Sequence, residues 1–438
     1  MIPRFVAIVG IVSAACAQQA VTLEEAVKLA LERHPDVGKA RASSDILKGK
    51  IREVRAQALP ELTINSSFLR WRDPSFLNAS GLDKFPEELR KALVPEGVNL
   101  FDYHISARQP LYTAGKVGTA LRLAAVEAEG ALAEIDRAEQ DLAVATVRAY
   151  YGLMWAERYV ELVRETQRQR QMHAGMARTR FQNGVATEVD VLRSEVAVDN
   201  SAPEVLRAEN DIRQARAQLN YYLAQPIDAP IKVLGEFTEQ PWEDGSLEAL
   251  TREAMRRRPE LNRLRIAERS AQAQLQLAHA ESRMKLDFLG TYGISSRLPA
   301  NLGNSQFTRW TLGLTFAFPV FDGFRRSGLV EQATAAQRAT RLEREKAEQQ
   351  VRLALQQGLD EMNAARETMV AARANIQQAE KVLAMTQNNY KYGAATTLDI
   401  VDAQTALSVA RTNLLRGLHD HAVARANLRY QAGMRPWE

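Results

Sequence analysis

The chain contains two copies of one structural unit, and this duplication restricts the folds that it can adopt. Residues 181–196 (FQNGVATEVDVLRSEV) and residues 390–405 (YKYGAATTLDIVDAQT) share a frame in which an aromatic residue, a glycine and an aspartate recur at equal spacing. The two stretches lie 209 positions apart, and the same offset relates Pro110 to Pro319. A repeat of this length indicates two equivalent halves, each built from the same succession of elements.

Each copy begins with a pair of short helices. Thr22 and Ser246 stand where helix N-caps are expected, and Glu25 completes a capping box in the first copy. Pro35 and Pro259 then interrupt the helical pattern, so a second helix is expected after each proline.

The hydrophobic period then changes from helical to two, which predicts strands. In the stretch RWTLGLTFAFP, Trp310, Leu312 and Leu314 share one face with two phenylalanines, while Thr311 and Thr315 lie on the other. Strands are expected at about residues 61–70, 99–109, 286–295 and 308–318. A length of roughly 10 residues suits a tilted membrane strand. A soluble sheet with one wet face would show the same alternation, so the pattern leaves both readings open.

A very long helix follows the second strand of each copy, at residues 116–182 and 325–391. Its small and aliphatic residues are spaced alternately four and three apart, which predicts the seam of a supercoiled helix rather than a globular amphipathic face. In the first copy the seam consists of Val117, Leu121, Ala124, Ala128, Ala131, Ile135, Ala138, Leu142, Ala145, Ala149, Gly152, Ala156, Val160 and Val163.

Each long helix is expected to end at the repeated motif and to be followed by a returning helix that runs to Leu223 or Ala432. Gly184 and Gly393 supply the positive φ that a helix reversal needs. The threonine three positions after each glycine is placed to cap the returning helix.

These features predict the domain organisation. Residues 1–17 read as an export signal, with Arg4, an apolar run and the cleavage pattern Ala15-Cys16-Ala17. A lipoprotein cut before Cys16 is the alternative, although a lipobox prefers leucine where Ser13 stands. The first repeat then covers residues 18–224, the connector 225–245 and the second repeat 246–438, with the hairpin tips at 183–188 and 392–397.

The sequence offers no motif for catalysis. Neither a phosphate-binding loop ending in Gly-Lys-Ser/Thr nor a Gly-x-Ser-x-Gly elbow occurs. His419 and His421 are two apart on a predicted helix, whereas helical metal ligands need a spacing of three or four. The net charge is +4, but basic and acidic residues are interleaved along the predicted helices. A nucleic-acid partner would need a concentrated basic stripe, so this pattern disfavours one. We therefore expect no enzyme, no cofactor and no metal site.

Four strands create a problem if they lie in a membrane. A membrane barrel needs at least about 8 strands, and lipid cannot satisfy the open edges of a four-stranded sheet. The strands therefore either lie outside the membrane, or several chains share one barrel.

The duplicated order, the proline after each second strand and the two tip motifs resemble the TolC family of outer-membrane efflux channels, over residues 22–433. The resemblance implies a mainly α fold with a small β part. In that fold the duplicated helix–strand–strand–long-helix unit forms a trimeric α-helical periplasmic tunnel joined to a 12-stranded outer-membrane β-barrel, with four strands from each chain. It also implies a homotrimer in outer-membrane lipid that docks a periplasmic adaptor and an inner-membrane pump.

The resemblance also assigns residues at the tips. Asp399 and Asp402 match the family's entrance acids, Tyr390 matches a tyrosine that helps to hold the entrance shut, and Asp190 matches its partner. Position 395 holds alanine where some members carry a latch arginine. The entrance gate would comprise Tyr390, Asp190, Gly184 and Gly393. The adaptor would dock on Asn183, Gly184, Val185, Tyr392, Gly393 and Ala394.

The spacing of the acids suggests what they do. Asp399 and Asp402 are three residues apart and therefore share one helix face. Asp399 also lies where a helix dipole favours negative charge, and that alone can account for Asp190. Asp402 lies beyond this range, and the first copy has Arg193 at the matching position. Around a three-fold axis the two acids would form stacked carboxylate rings, which select cations.

These features bear on three candidate functions. The favoured one is a passive outer-membrane channel of a tripartite efflux or type I secretion system, which exports small molecules or proteins. The alternative is a periplasmic coiled-coil scaffold or adaptor without a membrane barrel, which osmotic shock would release without detergent. An enzyme on a helical frame has no supporting motif.

Overall fold

The computed structural model describes residues 19–72, 84–89, 97–239, 242, 245–281 and 283–437. The expected export signal, residues 1–17, lies outside the described residues. The chain divides into two compact units. One comprises the described residues of Met1–Ala42, Leu132–Arg263 and Arg344–Glu438, and the other those of Ser43–Ala131 and Leu264–Glu343.

The elements follow the duplicated order that the sequence predicts. In the first copy they are β1 (Gln19–Val21), α1 (Leu23–Arg33), α2 (Pro35–Ala56), β2 (Glu61–Trp71), β3 (Val98–Tyr112), α3 (Lys116–Gln182), α4 (Glu188–Asp199), α5 (Ala202–Tyr222) and β4 (Ile231–Val233). In the second they are α6 (Leu247–Arg257), α7 (Pro259–Ala280), β5 (Lys285–Ser296), β6 (Thr308–Ala317), α8 (Arg325–Lys391) and α9 (Thr397–Gln431), with two 3-10 turns between β5 and β6. The four long strands agree with the predicted bounds to within three residues at each end.

The first returning helix differs from the expectation. We predicted one continuous helix, but α4 ends at Asp199 and α5 begins at Ala202, with Pro203 in the first turn of α5. Proline has no N–H to donate, and its ring clashes with the carbonyl four residues earlier, so the helix breaks there. The second copy has no proline at this place, and α9 runs unbroken for 35 residues.

The residues of the predicted seam of α3 are shielded from solvent. None of its 14 residues is classed as exposed, and Ala124, Ala131, Leu142, Ala149, Ala156, Val160 and Val163 are buried. Because alanine, valine and glycine have short side chains, neighbouring helices can approach closely along this line.

The largest apolar core of this helical unit is formed by residues of the first copy and of the connector. Tyr150, Leu153, Leu219 and Leu223 are buried there with Ile231 of β4, which pairs in parallel with β1. The hydroxyl of Tyr150 donates to the carbonyl of Leu234, and burial raises the pKa of Tyr150 to about 12. The neutral Tyr150 side chain thus connects the segment after β4 to α3 by a hydrogen bond.

The other unit contains an antiparallel sheet in the order β2-β3-β5-β6, with β2 and β6 at its edges. The register places the apolar residues opposite one another across all four strands. Ile64 faces Ile105, Ile105 faces Tyr292, and Tyr292 faces Trp310. Their side chains are between 49% and 81% exposed, so the sheet presents a continuous uncovered apolar face.

The opposite face of the sheet is polar and internally paired. Asp102 contacts His104 and lies 3.0 Å from Arg309 on β6, while Arg108 donates to Asp287 at 2.7 Å. The two faces therefore have opposite chemistry, as the alternation predicts.

In the part of the chain that the structure describes, we find no helix with the length and hydrophobicity that crossing a membrane requires.

Candidate functional site

The two hairpin tips have the same backbone geometry. Gly184 and Gly393 adopt φ of 71° and 77°, a region that glycine enters without strain. Val185 donates its N–H to Arg180 at 2.9 Å, and Ala394 donates to Asn389 at 2.8 Å, so each turn satisfies the last carbonyls of its long helix. The repeated glycine is thus explained by the turn itself.

The repeated aspartate is a helix cap. Thr396 donates its N–H and its hydroxyl to Asp399 at 2.7 Å each, and Asp399 donates its own N–H back to the threonine hydroxyl oxygen at 3.3 Å. Thr187 and Asp190 form the same reciprocal box in the first copy. The hydrogen bonds from the Thr396 backbone and side chain hold the pKa of Asp399 below its usual value, so this carboxylate is charged at neutral pH.

The two candidate entrance acids are both exposed, and they differ in their local role. Asp399 is engaged in the cap, whereas Asp402 lies one turn further along α9, beyond the range of a capping box. A capping role therefore accounts for Asp399 but not for Asp402.

Tyr390 lies at the end of α8 and is only 8% exposed. Its hydroxyl is 3.4 Å from the Thr397 hydroxyl of α9. Hydrogen bonds from Thr187 lower the pKa of Asp190 on α4, and a hydrogen bond from Thr397 makes a smaller contribution. Thr397, which the sequence analysis did not single out, thus lies between the tyrosine and the aspartate that we expected to be its partner.

Two residues of the first hairpin also contact Tyr390. Arg180 donates to the Tyr390 carbonyl at 2.8 Å, and its guanidinium carbon lies 4.6 Å from the centre of the tyrosine ring. The His173 ring packs edge-on at 5.4 Å. Sequence reasoning missed both, because a basic residue on a long helix ordinarily faces solvent and only the register of the two hairpins brings these three together.

The residues predicted to dock a partner are all exposed at the tips, with Val185 at 64% and Tyr392 at 83%. An apolar groove of about 570 Å³ lies beside them between α4 and α9, lined in part by Leu192, Val196 and Leu398. The described residues contain no group of three or more histidine, cysteine, aspartate or glutamate side chains that could hold a metal ion.

Comparison with known proteins gives consistent matches. A family model described as "Outer membrane efflux protein" matches residues 26–225 and 250–433. Outer membrane protein TolC of Escherichia coli (strain K12) is 23% identical over 434 residues, which cover 95% of this chain and 83% of that protein. Alkaline protease secretion protein AprF of Pseudomonas aeruginosa is 24% identical over 300 residues, and the match spans 67% of this chain and 62% of that relative.

Solved structures show the same fold. The CmeC outer membrane channel of Campylobacter jejuni superposes with a TM-score of 0.82 at 16% identity, over 94% of this chain and 85% of that one. The MtrE outer membrane channel of Neisseria gonorrhoeae, in its open state, superposes with a TM-score of 0.76 at 19% identity, over 94% and 89% of the two chains.

Proposed function

The chain belongs to the outer membrane efflux protein family, and from this premise we propose that it forms a passive exit duct whose periplasmic entrance is built from the two hairpin tips. It is an outer membrane channel of a tripartite efflux or type I secretion system. Members of the family are trimeric channels that work with an adaptor and an inner-membrane pump.

The observation that carries the proposal is the uncovered apolar face of the four-stranded sheet. A soluble scaffold would need a partner to cover Ile64, Ile105, Leu312 and Leu314, whereas outer-membrane lipid covers them directly. Among the described residues, no strand pairs with the outer side of β2 or of β6. Three copies of the four-stranded sheet, joined edge to edge, close a barrel of 12 strands and leave no edge in lipid.

The polar face of the sheet then lines the water-filled lumen. Asp102, His104, Arg309, Arg108 and Asp287 are paired with one another on that face. Mutual pairing leaves little free charge on this part of the wall, so the wall itself does not favour one class of solute. Selection therefore occurs at the entrance and in the pump.

The tips provide the entrance and the docking surface. Around a three-fold axis, Asp399 and Asp402 form two stacked carboxylate rings. Rings of negative charge in a constriction attract cations. The adaptor docks on the exposed turn residues, since Val185 and Tyr392 offer apolar contacts that water does not satisfy. Gly184 and Gly393 fix the shape of both turns.

The test of the channel itself is extraction followed by electrical recording. The protein should resist release by osmotic shock, should require detergent, and should give single-channel currents after insertion into a planar bilayer. Release in soluble form without detergent, or the absence of any conductance from intact oligomers, would support the scaffold alternative.

Replacing both entrance acids by asparagine, Asp399→Asn with Asp402→Asn, should lower the cation-over-anion permeability ratio several-fold and abolish block by trivalent cations. Asparagine retains an oxygen that can accept the capping hydrogen bond, so the helix start is preserved while the charge is lost. Reversal potentials in a salt gradient measure the effect.

The matched control for this pair is Asp190→Asn, which makes the same change in the capping box of the first copy. This variant should keep the cation preference of the parent channel. Unchanged selectivity in the double variant would mean that the acids only cap and solvate the tip.

A further inference from the structure

The surroundings of Tyr390 suggest how the entrance is held closed in this chain, an inference that rests on the proposed function. Alanine occupies position 395, so the second tip has no arginine of its own in its turn. The structure instead places an arginine of the first hairpin against Tyr390. This residue is Arg180, which lies in the last turn of α3, four positions before Gly184.

Arg180 holds Tyr390 in two ways at once. Its guanidinium donates to the tyrosine carbonyl at 2.8 Å and lies over the ring at 4.6 Å, so it contacts both the backbone and the side chain. A planar guanidinium can make these contacts simultaneously, whereas the point charge of lysine cannot. The contacts join α3 of the first hairpin to α8 of the second at the extreme end of both.

His173 packs against the same ring two turns earlier on α3. It is 2% exposed, and neither ring nitrogen has a hydrogen-bond partner among the residues that the structure describes. The groups recorded against it are the Tyr390 ring on α8 and the Asp190 carboxylate on α4. Arg180 lies over the shared tyrosine, the uncharged Thr397 on α9 lies beside the tyrosine hydroxyl, and Arg193 acts on Asp190. A buried imidazole without partners is stable only while it is neutral.

We propose that Arg180 and His173 form a latch on Tyr390 that holds the two hairpins together in the closed entrance, and that protonation of His173 releases it. Arg180 supplies the directional contacts, and the neutral imidazole fills the space beside the ring. A charged imidazole draws water into this site and separates the hairpins.

The direction of the pH effect follows from burial. Burial lowers the pKa of His173 from its ordinary value of 6.5, and the Asp190 carboxylate opposes this shift only in part. A separated tip exposes the histidine to water and returns its pKa towards the ordinary value, so the open form binds more protons. The closed form is therefore fully stable above about pH 6.5 and loses stability as the pH falls below that value.

The first experiment compares Arg180→Met and Arg180→Lys with the parent channel in planar bilayers at neutral pH. The methionine variant should raise the fraction of time spent open several-fold, and lysine should restore the closed state only in part. Arg178→Met is the matched control, because Arg178 pairs with Glu195 within the first hairpin and should leave opening unchanged.

The second experiment measures opening as a function of pH. The parent channel should open more as the pH falls through about 6.5, while His173→Gln, which cannot be protonated in this range, should give a flat profile. His421→Gln is the control, since His421 is a second buried histidine whose pKa burial also lowers but which lies away from Tyr390. Its variant should keep the parent profile.

The outcomes separate the latch from the channel. Each variant is first checked for the parent's yield of outer-membrane oligomer, so that a change in opening is not a loss of protein. The latch is overturned, and the channel left intact, if the parent channel and Arg180→Met both conduct and spend the same fraction of time open. The same holds if the pH response of opening survives in His173→Gln. No conductance from the parent oligomer overturns both.

Discussion

Leu314→Arg is expected to impair assembly in the outer membrane, whereas Thr315→Arg is expected to be tolerated. Leu314 pairs with Phe288 on β5 and is 65% exposed on the apolar face, so an arginine there would face lipid. Such a charge costs about 2–4 kcal/mol at the bilayer midplane and less near the interfaces. Thr315 lies on the opposite face, where water solvates the same side chain.

These neighbouring substitutions control for each other, because they add an identical side chain to one strand at adjacent positions. The amount of heat-modifiable oligomer in outer-membrane fractions measures assembly, and refolding into detergent or lipid measures stability. Equal tolerance of both would show that the sheet does not lie in lipid, and equal failure of both would show that β6 tolerates no arginine on either face.

The sequence was sufficient to predict the strands and their two faces, because alternation encodes which side of a strand each residue occupies. Trp310, Leu312 and Leu314 alternate with threonine and glycine, and the observed register continues this division across β5, β3 and β2. The strand predicted at residues 61–70 is present as β2, and its apolar Ile64 and Phe68 lie opposite Ile105 and Phe101 of β3. The repeat supported the same prediction, because two strands are predicted at equivalent places in both copies.

The tips were predictable where the chemistry is local. A glycine followed three positions later by threonine and six positions later by aspartate specifies a reversal and a capping box within one short segment. The break before Pro203 was missed, although a proline inside a helical segment ordinarily ends or kinks the helix.

Contacts between the hairpins were not predictable. Arg180 and Tyr390 are separated by 210 positions, and their contact depends on how two long helices lie against each other at their ends. His173 gave no signal of burial, because it lies between Met172 and Ala174 on a stretch of helix rich in arginine and glutamine. Residues of this kind are recognised only once the packing of the hairpins is known.

Gly417→Val is expected to destabilise the second hairpin by about 1–3 kcal/mol, the usual cost of forcing extra carbon atoms into a packed helix interface. A Cβ at Gly417 of α9 would lie 2.9 Å from Cγ of Met369 on α8, and Met369 is fully buried. The neighbouring backbone lies at 3.4 Å and cannot move aside without separating the two helices. Gly358 of α8 is similarly close to Leu428, so both helices use glycine to approach.

Gly175→Ala is the control for this prediction, because a Cβ at this exposed position of α3 meets nothing within 4 Å. Alanine also favours a helix over glycine by up to about 1 kcal/mol, so this variant should be neutral or slightly more stable. The two variants are compared by thermal unfolding of the detergent-solubilised oligomer, monitored by the circular dichroism signal of its helices. If Gly417→Val unfolded at the same temperature as the parent protein, α8 and α9 would have room for the larger side chain. Close packing at Gly417 would then not contribute to the stability of the second hairpin.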